Sequence, residues 1–411
     1  MTQTKENTKE KILNQAFALL SEATDYDIAL AQIAKGVGIS KAAIFRHFKD
    51  KAALLDAMKE RCFDNLADAL YVDFPEIGKP VKTSELIKTI VRFIAEKPEY
   101  FGVMKKMCAH ARTMEVMITE EFGKRGIRAL KTKQDAHSPE KIYAFTTVLY
   151  CVLQYRLNDG TARVAPSLFA ERLTDFLMTG WQEIRELSGE EKERLSQACV
   201  LEPELIPEED RFFSALIQVV LKYGFTGITV ERIAGELGMA KSSLYAFFEN
   251  KDKLVEDLVK KEVTYLIAAL SEKLSGVTDL SSAVYVYLHV VTRYLIARPE
   301  LTVVIVWYFA RGGTAPELYR EINPDDVSDG LRLLVSSNAP DVGCMAQSHR
   351  TAMWLASLPV SLMIHQLRHN GGGGSFFFNN ADALIDRIHR QIGHPLPDDS
   401  ECILEPRSYT I

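Results

Sequence analysis

Apolar residues recur at helical spacing along most of the chain. One face of the first predicted helix carries Ile12, Ala16, Leu19 and Leu20. This spacing is typical of an amphipathic helix that packs one side against a core. No stretch shows a sustained alternation of apolar and polar residues, which is the pattern of a half-buried strand. The pattern therefore predicts an all-α fold.

The pattern around Ile33 returns around Ile233. Placing these two residues opposite each other also pairs, without a gap, Ala34/Ala234, Gly38/Gly238, Lys41/Lys241, Phe48/Phe248, Lys51/Lys251 and Leu54/Leu254. Repetition over a long period is the signature of duplicated structural units. The chain is therefore interpreted as a tandem duplication.

A polar, acidic stretch separates the two copies. Its sequence, SGEEKERLSQACVLEPELIPEED, is interrupted by Pro203 and Pro207. Prolines end helices and favour extended backbone before them. We interpret the stretch as a helix that runs out into a linker. The predicted parts of the chain are residues 1–63, 64–188, 189–207, 208–262 and 263–411.

The repeated segment has the layout of two short helices joined by a tight turn. In the first copy we predict helices over residues 29–35 and 41–48, with Gly36–Gly38 in the turn and Ser40 as the cap of the second helix. Glycine at position 38 permits a turn that a Cβ would hinder. The residues expected to face the shared core are Ile33, Ala34, Val37, Ile44 and Phe48.

The outward face of this segment is small in its middle and basic around it. It carries Lys41, Ala42, Ala43, Phe45 and Arg46, with Lys51 just beyond. Small side chains let a helix enter the major groove, while Lys and Arg bind phosphates or guanine edges. An ordinary helical hairpin with a solvated basic edge is the alternative. Two copies with the same spacing favour DNA binding.

Composition limits how DNA could be bound. The chain has 411 residues, of which 47% are hydrophobic and 25% charged, and its formal net charge is −6. This length predicts two or three domains. An acidic protein does not coat nucleic acid indiscriminately. DNA contact must therefore come from a local basic patch.

Both copies resemble the DNA-binding motif of the tetracycline-repressor (TetR) family of bacterial regulators. The segments concerned are IAKGVGISKAAIFRHFKDKAALLDAM and TVERIAGELGMAKSSLYAFFENKDKLVEDL. The resemblance implies helix-turn-helix domains at residues 1–63 and 208–262. Helical effector and dimerisation domains would follow at 64–188 and 263–411, beyond a linker at 189–207. It also implies a ligand-responsive repressor that binds double-stranded DNA.

The resemblance also implies which residues contact DNA. The aromatic position falls on Phe45 and Tyr245, and the phosphate anchor on Lys51 and Lys251. Further contact positions are Lys41, Ala42, Ala43 and His47 in the first copy, and Thr229, Lys241, Ser242 and Ser243 in the second. Arg46 joins them because it lies on the same outward face.

The two copies differ in charge. Residues 35–51 contain five Lys or Arg against one Asp, whereas residues 235–251 contain two Lys against two Glu. Ala246 and Phe247 replace Arg46 and His47. We therefore expect the first copy to supply most of the phosphate attraction. The alternative function is an interaction protein in which one or both motifs have lost specific DNA binding.

The helical remainder of each copy supplies candidate dimerisation helices. They are SPEKIYAFTTVLYCVLQYRL and LFAERLTDFLMTGWQEI in the first copy, and TAMWLASLPVSLMIHQL and ALIDRIHRQI in the second. Family members are usually homodimers joined by a four-helix bundle. The resemblance therefore implies an intrachain pseudo-dimer that reads an asymmetric operator, with a homodimer as the rival.

The resemblance also places a candidate pocket for a small apolar effector in the middle helices. Its candidate residues are Met104, Met107, Met114, Trp307 and Tyr308. Plain core packing is the alternative.

Other features exclude further classes. No catalytic motif is present, so no enzyme is predicted, and no cofactor. His365 and His369 have helical ligand spacing, but a third ligand is missing, so no metal site is predicted. Six scattered cysteines favour reduced thiols. The absence of a secretory signal and of a long apolar run predicts a cytoplasmic protein without a membrane partner. GGGGS at residues 371–375 is predicted to be a loop.

Overall fold

The structure is a computed structural model. It describes residues 7–22, 29–97, 99–100, 103, 114–129, 139–157, 164–208, 210–223, 228–299, 301–302, 328–336, 342, 348–369, 375–394 and 401–405. Met104, Met107, Trp307, Tyr308 and the glycines of the predicted 371–375 loop lie outside these ranges. So do the side chains of Met114, Lys251, His365 and His369, although their backbone is helical.

Helices dominate both halves of the chain. The helices of the first half are α1 (Thr8–Glu22), α2 (Leu30–Val37), α3 (Lys41–Ile44), α4 (Lys51–Asp73), α5 (Thr83–Glu96), α6 (Met114–Lys124), α7 (Pro139–Leu157) and α8 (Pro166–Thr179). The next helices are α9 (Gly189–Ala198), α10 (Arg211–Tyr223), α11 (Val230–Glu236), α12 (Lys241–Leu244), α13 (Lys251–Lys273), α14 (Leu280–Ala297), α15 (Asp329–Ser336), α16 (Ser348–His369) and α17 (Ser375–Gly393). The predicted all-α class is confirmed.

A small antiparallel sheet is the exception to the helical prediction. Its strands are β1 (Pro80–Lys82), β2 (Ile127–Ala129) and β3 (Glu401–Leu404), in the order β1-β3-β2. Strands of three or four residues are too short to show the alternation by which strands are recognised. The middle strand comes from the far end of the chain and pairs with both strands of the first half.

The sheet is tied to α4. The Tyr71 hydroxyl lies 2.8 Å from the carbonyl oxygen of Arg125 and 2.7 Å from that of Glu405. The buried Arg125 guanidinium also donates to the carboxylates of Glu60 at 2.7 Å and Asp64 at 2.9 Å. Both acids are on α4. This helix is therefore bonded to Arg125, just before β2, and to Glu405, just after β3.

The long helices after each repeated motif pack against each other across the two halves. Helices α16 and α17 of the second half contact α7 of the first. The Tyr150 hydroxyl donates to the carbonyl oxygen of Arg350 at 2.8 Å, and Arg387 forms two hydrogen bonds with the Glu140 carboxylate. These three helices and α8 correspond to the four segments that the sequence predicts for a helix bundle.

The segment between the halves begins as a helix. Ser188 and Glu191 cap α9 reciprocally, which satisfies two backbone donors at its start. Leu195 and Cys199 are buried, and Arg293 of α14 donates to the Ser196 hydroxyl at 2.9 Å. After α9 comes a 3-10 turn at Pro203–Leu205. The segment therefore packs on the second half.

Among the described helices, one has the length and composition of a membrane span. This is α14, with a mean hydropathy of 1.2 and 78% of its residues buried. Arg293 and several hydroxyl-bearing residues interrupt its apolar residues, so the sequence does not show it as a continuous apolar run. A buried core helix passes the same test, and α14 packs against α13, α15, α16 and α17.

Candidate nucleic-acid interface

The repeated motif folds as two three-helix units. We name residues 7–63 the first head and residues 210–262 the second head. In the first head, Ile33, Ala34, Ile44 and Phe48 are buried and Val37 packs against them, as predicted. Gly38 has a φ of 76°, in the left-handed region that glycine tolerates. The Ser40 hydroxyl accepts from the Ala43 N–H at 3.2 Å. The predicted core and cap are therefore confirmed.

The recognition helix α3 is shorter than predicted. The prediction was residues 41–48, but α3 ends at Ile44 and turns follow. The N–H groups of Arg46 and His47 donate to the carbonyls three residues before them, at 3.2 and 2.9 Å. Hydrogen bonds of that spacing tighten the last turn into 3-10 geometry. The apolar spacing on which the prediction rests does not distinguish an α-helical turn from a 3-10 turn.

The predicted contact residues of the first head lie at its surface. Lys41, Ala42, Arg46 and His47 are exposed, Ala43 and Lys51 are half-buried, and Phe45 is 45% exposed. The single acid of this segment, Asp50, accepts from the Ala53 N–H at 2.8 Å and caps α4. Its charge therefore faces the start of α4, where a helix favours an anion.

The second head has the same backbone but a different surface. Ser242 and Ser243 are exposed, and Tyr245 is 48% exposed. Thr229 caps α11, since its hydroxyl accepts from the Arg232 N–H at 3.3 Å. Phe247, 53% exposed, stands where the first head has His47 and contacts the Phe212 ring, with centroids 5.3 Å apart. The second head is therefore aromatic where the first is basic.

Lys241 differs from its counterpart Lys41 in having an acidic partner. Its ammonium forms a hydrogen-bonded ion pair with Glu231 of α11 and lies 5.9 Å from the Tyr245 ring centroid. The hydrogen bond to Glu231 raises the pKa of Lys241, and the same bond lowers the pKa of Glu231. Sequence reasoning missed Glu231 because it precedes the window used for counting charge. The repeat alignment does expose it, since Ala31 stands opposite.

Clusters of metal-binding side chains are absent from the described part of the chain. No group of three or more His, Cys, Asp or Glu residues there could hold a metal ion. The side chains of Cys62, Cys151 and Cys199 are buried and form no disulfide. Burial raises the pKa of the Cys62 and Cys199 thiols to about 12, which keeps them protonated and unreactive.

Two exposed recognition helices, each on a three-helix unit, define a regulator of the helix-turn-helix class. The sequence profile of the family described as "Bacterial regulatory proteins, tetR family" matches residues 12–58 and again residues 213–258. The chain therefore carries the DNA-binding domain of that family twice.

The relatives support a transcriptional regulator. An uncharacterised HTH-type transcriptional regulator, YxbF of Bacillus subtilis, is 19% identical over 65% of this chain and 70% of its own length. The nucleoid occlusion factor SlmA of Yersinia enterocolitica is 32% identical over 27% of this chain and 56% of its own length. The chain therefore spans little more than half of that second relative.

Proposed function

We propose that the chain is a transcriptional repressor that binds DNA as an intrachain pseudo-dimer, on an operator with two unlike half-sites. The observation that carries the proposal is the packing of α16 and α17 against α7. A dimeric helix-turn-helix protein reads two half-sites about one helical turn apart, roughly 34–36 Å. One chain that holds both heads on one bundle can meet this requirement without a second copy.

The contacts between the halves are of the kind that joins stable subunits. Trp354 of α16 is fully buried and packs against Tyr143, Phe176 and Trp181 of the first half. Buried aromatic clusters of this type dominate the energetics of interfaces. The apolar faces that a homodimer would use are therefore occupied within the chain.

The unlike heads support an asymmetric operator. A homodimer with two-fold symmetry reads a palindrome because its heads are identical. Here Ala42, Ala43 and Arg46 of the first head stand opposite Ser242, Ser243 and Ala246 of the second. Different side chains at base-facing positions favour different bases.

The first test combines a mass with a footprint. Light scattering should give the mass of one chain for the free protein, and the mass of one chain plus one duplex for the complex. Footprinting on the DNA upstream of its own coding region should protect two half-sites of different sequence. A mass of two chains together with a perfectly palindromic footprint would contradict the intrachain arrangement.

The second test measures the asymmetry between the heads. Replacing Lys41 and Arg46 with alanine should weaken operator binding by about 1–3 kcal/mol for each lost contact. Lys241→Ala should cost less because its ammonium is already paired with Glu231. Fluorescence anisotropy with one operator duplex gives both affinities. A larger loss from Lys241→Ala would show that the second head dominates.

We extend the proposal to regulation by a small, largely apolar effector that weakens DNA binding. The support is the match of both heads to the family and the methionine and aromatic residues that the sequence places in the middle helices. The coupling needed is about 1–3 kcal/mol. Compounds that raise the melting temperature should also release the operator in gel-shift assays. Compounds that stabilise the fold and leave DNA affinity unchanged would count against an effector role.

A second candidate function is supported at the second head alone. The Lys241–Glu231 pair and the exposed Phe247 ring are features of a surface that binds another protein rather than DNA. In that case the footprint would cover one half-site, and Ser242→Ala with Ser243→Ala would leave DNA affinity unchanged.

A further inference from the structure

We propose that Glu231 is a negative determinant of DNA binding: its carboxylate occupies the ammonium group of Lys241 and repels phosphate from the second recognition helix. This inference rests on the proposed DNA-binding function. It assigns a role to a residue outside the recognition helix, and it explains the difference between two heads of the same fold.

The pair lies where DNA would approach. Glu231 is in the first turn of α11 and Lys241 is the first residue of α12. Their side chains are 59% and 49% exposed, and the neighbouring residues Ser242 and Ser243 are exposed as well. The ion pair is therefore on the outward surface of the helix-turn-helix and not in its core.

The pair sets two obstacles to a phosphate. Lys241 must leave Glu231 before it can donate all three of its N–H groups to phosphate oxygens. The carboxylate would then remain, unpaired, beside the phosphate, and like charges at this distance repel. The mutual pKa shifts of the two groups, upward for Lys241 and downward for Glu231, express the same attraction.

The first head lacks the equivalent carboxylate because one side chain differs. Ala31 occupies the position equivalent to Glu231, and it is exposed. Lys41, like Lys241, is the first residue of its helix. No ion pair is found for Lys41 within the described residues. The two heads thus provide their own exchange experiment, since each can be given the residue of the other.

The test exchanges these residues in the full chain. Glu231→Ala should tighten binding to a duplex selected from random-sequence DNA by roughly 5- to 10-fold, the lower part of the range for one good contact. It should also steepen the salt dependence, because each neutralised phosphate adds about 0.9 to the slope of log K against log salt. Ala31→Glu should have the opposite effect on both quantities.

Two controls separate the local effect from a general change of charge. Glu236→Gln removes one negative charge from the same helix but acts on the pair with Lys222, at 2.8 Å. It should change affinity less than twofold. In a Lys241→Ala background, Glu231→Ala should lose most of its benefit. Circular dichroism melting verifies that each variant remains folded.

Each outcome decides the inference. Equal gains from Glu231→Ala and Glu236→Gln would overturn it, since net charge would then explain both. No gain from Glu231→Ala would overturn it while leaving the proposed function intact if the unmodified chain binds DNA. If neither the unmodified chain nor Glu231→Ala binds any duplex, both proposals fail. If only Glu231→Ala binds, the inference holds and the proposed repressor function fails.

Discussion

The indole N–H of Trp354 donates a hydrogen bond to the Thr147 hydroxyl oxygen at 3.1 Å, although the two residues are 207 positions apart in the chain. Both side chains are fully buried. The donor belongs to α16 of the second half and the acceptor to α7 of the first. A buried polar group that loses its partner carries a large desolvation cost. This bond therefore specifies how the halves meet as well as contributing to their cohesion.

Trp354→Ala should cost about 3–5 kcal/mol of unfolding free energy because it opens a large cavity between the halves. We expect urea unfolding to separate into two transitions when it is followed by tryptophan fluorescence and circular dichroism together. Leu168→Ala, at a position 37% exposed, is the control and should change stability much less. A single, unshifted transition for Trp354→Ala would contradict the interhalf role.

Lys51→Ala should weaken DNA binding on every sequence, because the residue is predicted to anchor a phosphate and not to read a base. The salt slope should fall by about 0.9, the change for one phosphate contact. Affinity measured at several salt concentrations, on specific and unrelated duplexes, gives the answer. Lys79→Ala, whose ammonium pairs with Glu76 away from both heads, should leave the slope unchanged. A loss confined to the operator would point to base contact.

Stability should fall as pH decreases from 6.5 because two histidines are buried in the second half. Burial lowers the pKa of His389 to about 4, and burial also lowers the pKa of His289. The unfolded chain, with an ordinary pKa of 6.5, then binds more protons than the folded chain between these values. The contribution of the buried histidines to the free energy of unfolding is therefore fully present above pH 6.5. It declines as the pH falls toward 4, by at most about 1.4 kcal/mol per pH unit for each histidine.

Urea unfolding at pH 7.5 and 5.5 checks this dependence. The His389 ring contacts the Ser281 carbonyl oxygen at 3.0 Å. Asp386 raises the pKa of His389, while Lys192 and Arg185 lower it. His389→Gln should reduce the difference between the two pH values. An undiminished difference would assign the effect to other groups.

The ion pair between Glu262 and Arg298 should be essential to the second head. The Arg298 guanidinium donates to Glu262 at 2.7 Å and to the Pro207 carbonyl oxygen at 3.0 Å, and it lies 5.2 Å from the Phe213 ring centroid. Glu262→Gln leaves a charge buried without its counterion and should cost about 3–5 kcal/mol. Glu76→Gln, at an exposed pair, should cost less than about 1 kcal/mol. Similar losses for both variants in urea unfolding would contradict this account.

The heads were the most predictable part of the fold. The spacing of Ile33, Ile44 and Phe48, with Gly38 in the turn, is a local pattern, and the repeat shows it twice. The long helices also followed from local periodicity. The packing of Trp354 against first-half aromatics could not be read, since it joins residues that no local pattern relates.

The candidate site was predictable in its positions but not in its electrostatics. Exposure of Lys41, Arg46 and Tyr245 follows from the spacing of the buried residues around them. The partner of Lys241 depends on how two helices cross and on which rotamer a long side chain adopts. A count of charges in a window contains neither quantity. The repeat alignment shows that Glu231 replaces Ala31, and the structure adds that Glu231 pairs with Lys241.

The position of β3 between β1 and β2 determines when the sheet can be completed during synthesis of the chain. Tyr71 of α4 and Glu405, beside that strand, are 334 residues apart. At a synthesis rate of about 5–20 residues per second, roughly 15–70 s separate their appearance. During that interval the first head is already made, while the sheet beside its long helix has two outer strands and no middle one. The half of the protein that is translated first is therefore the half that is completed last.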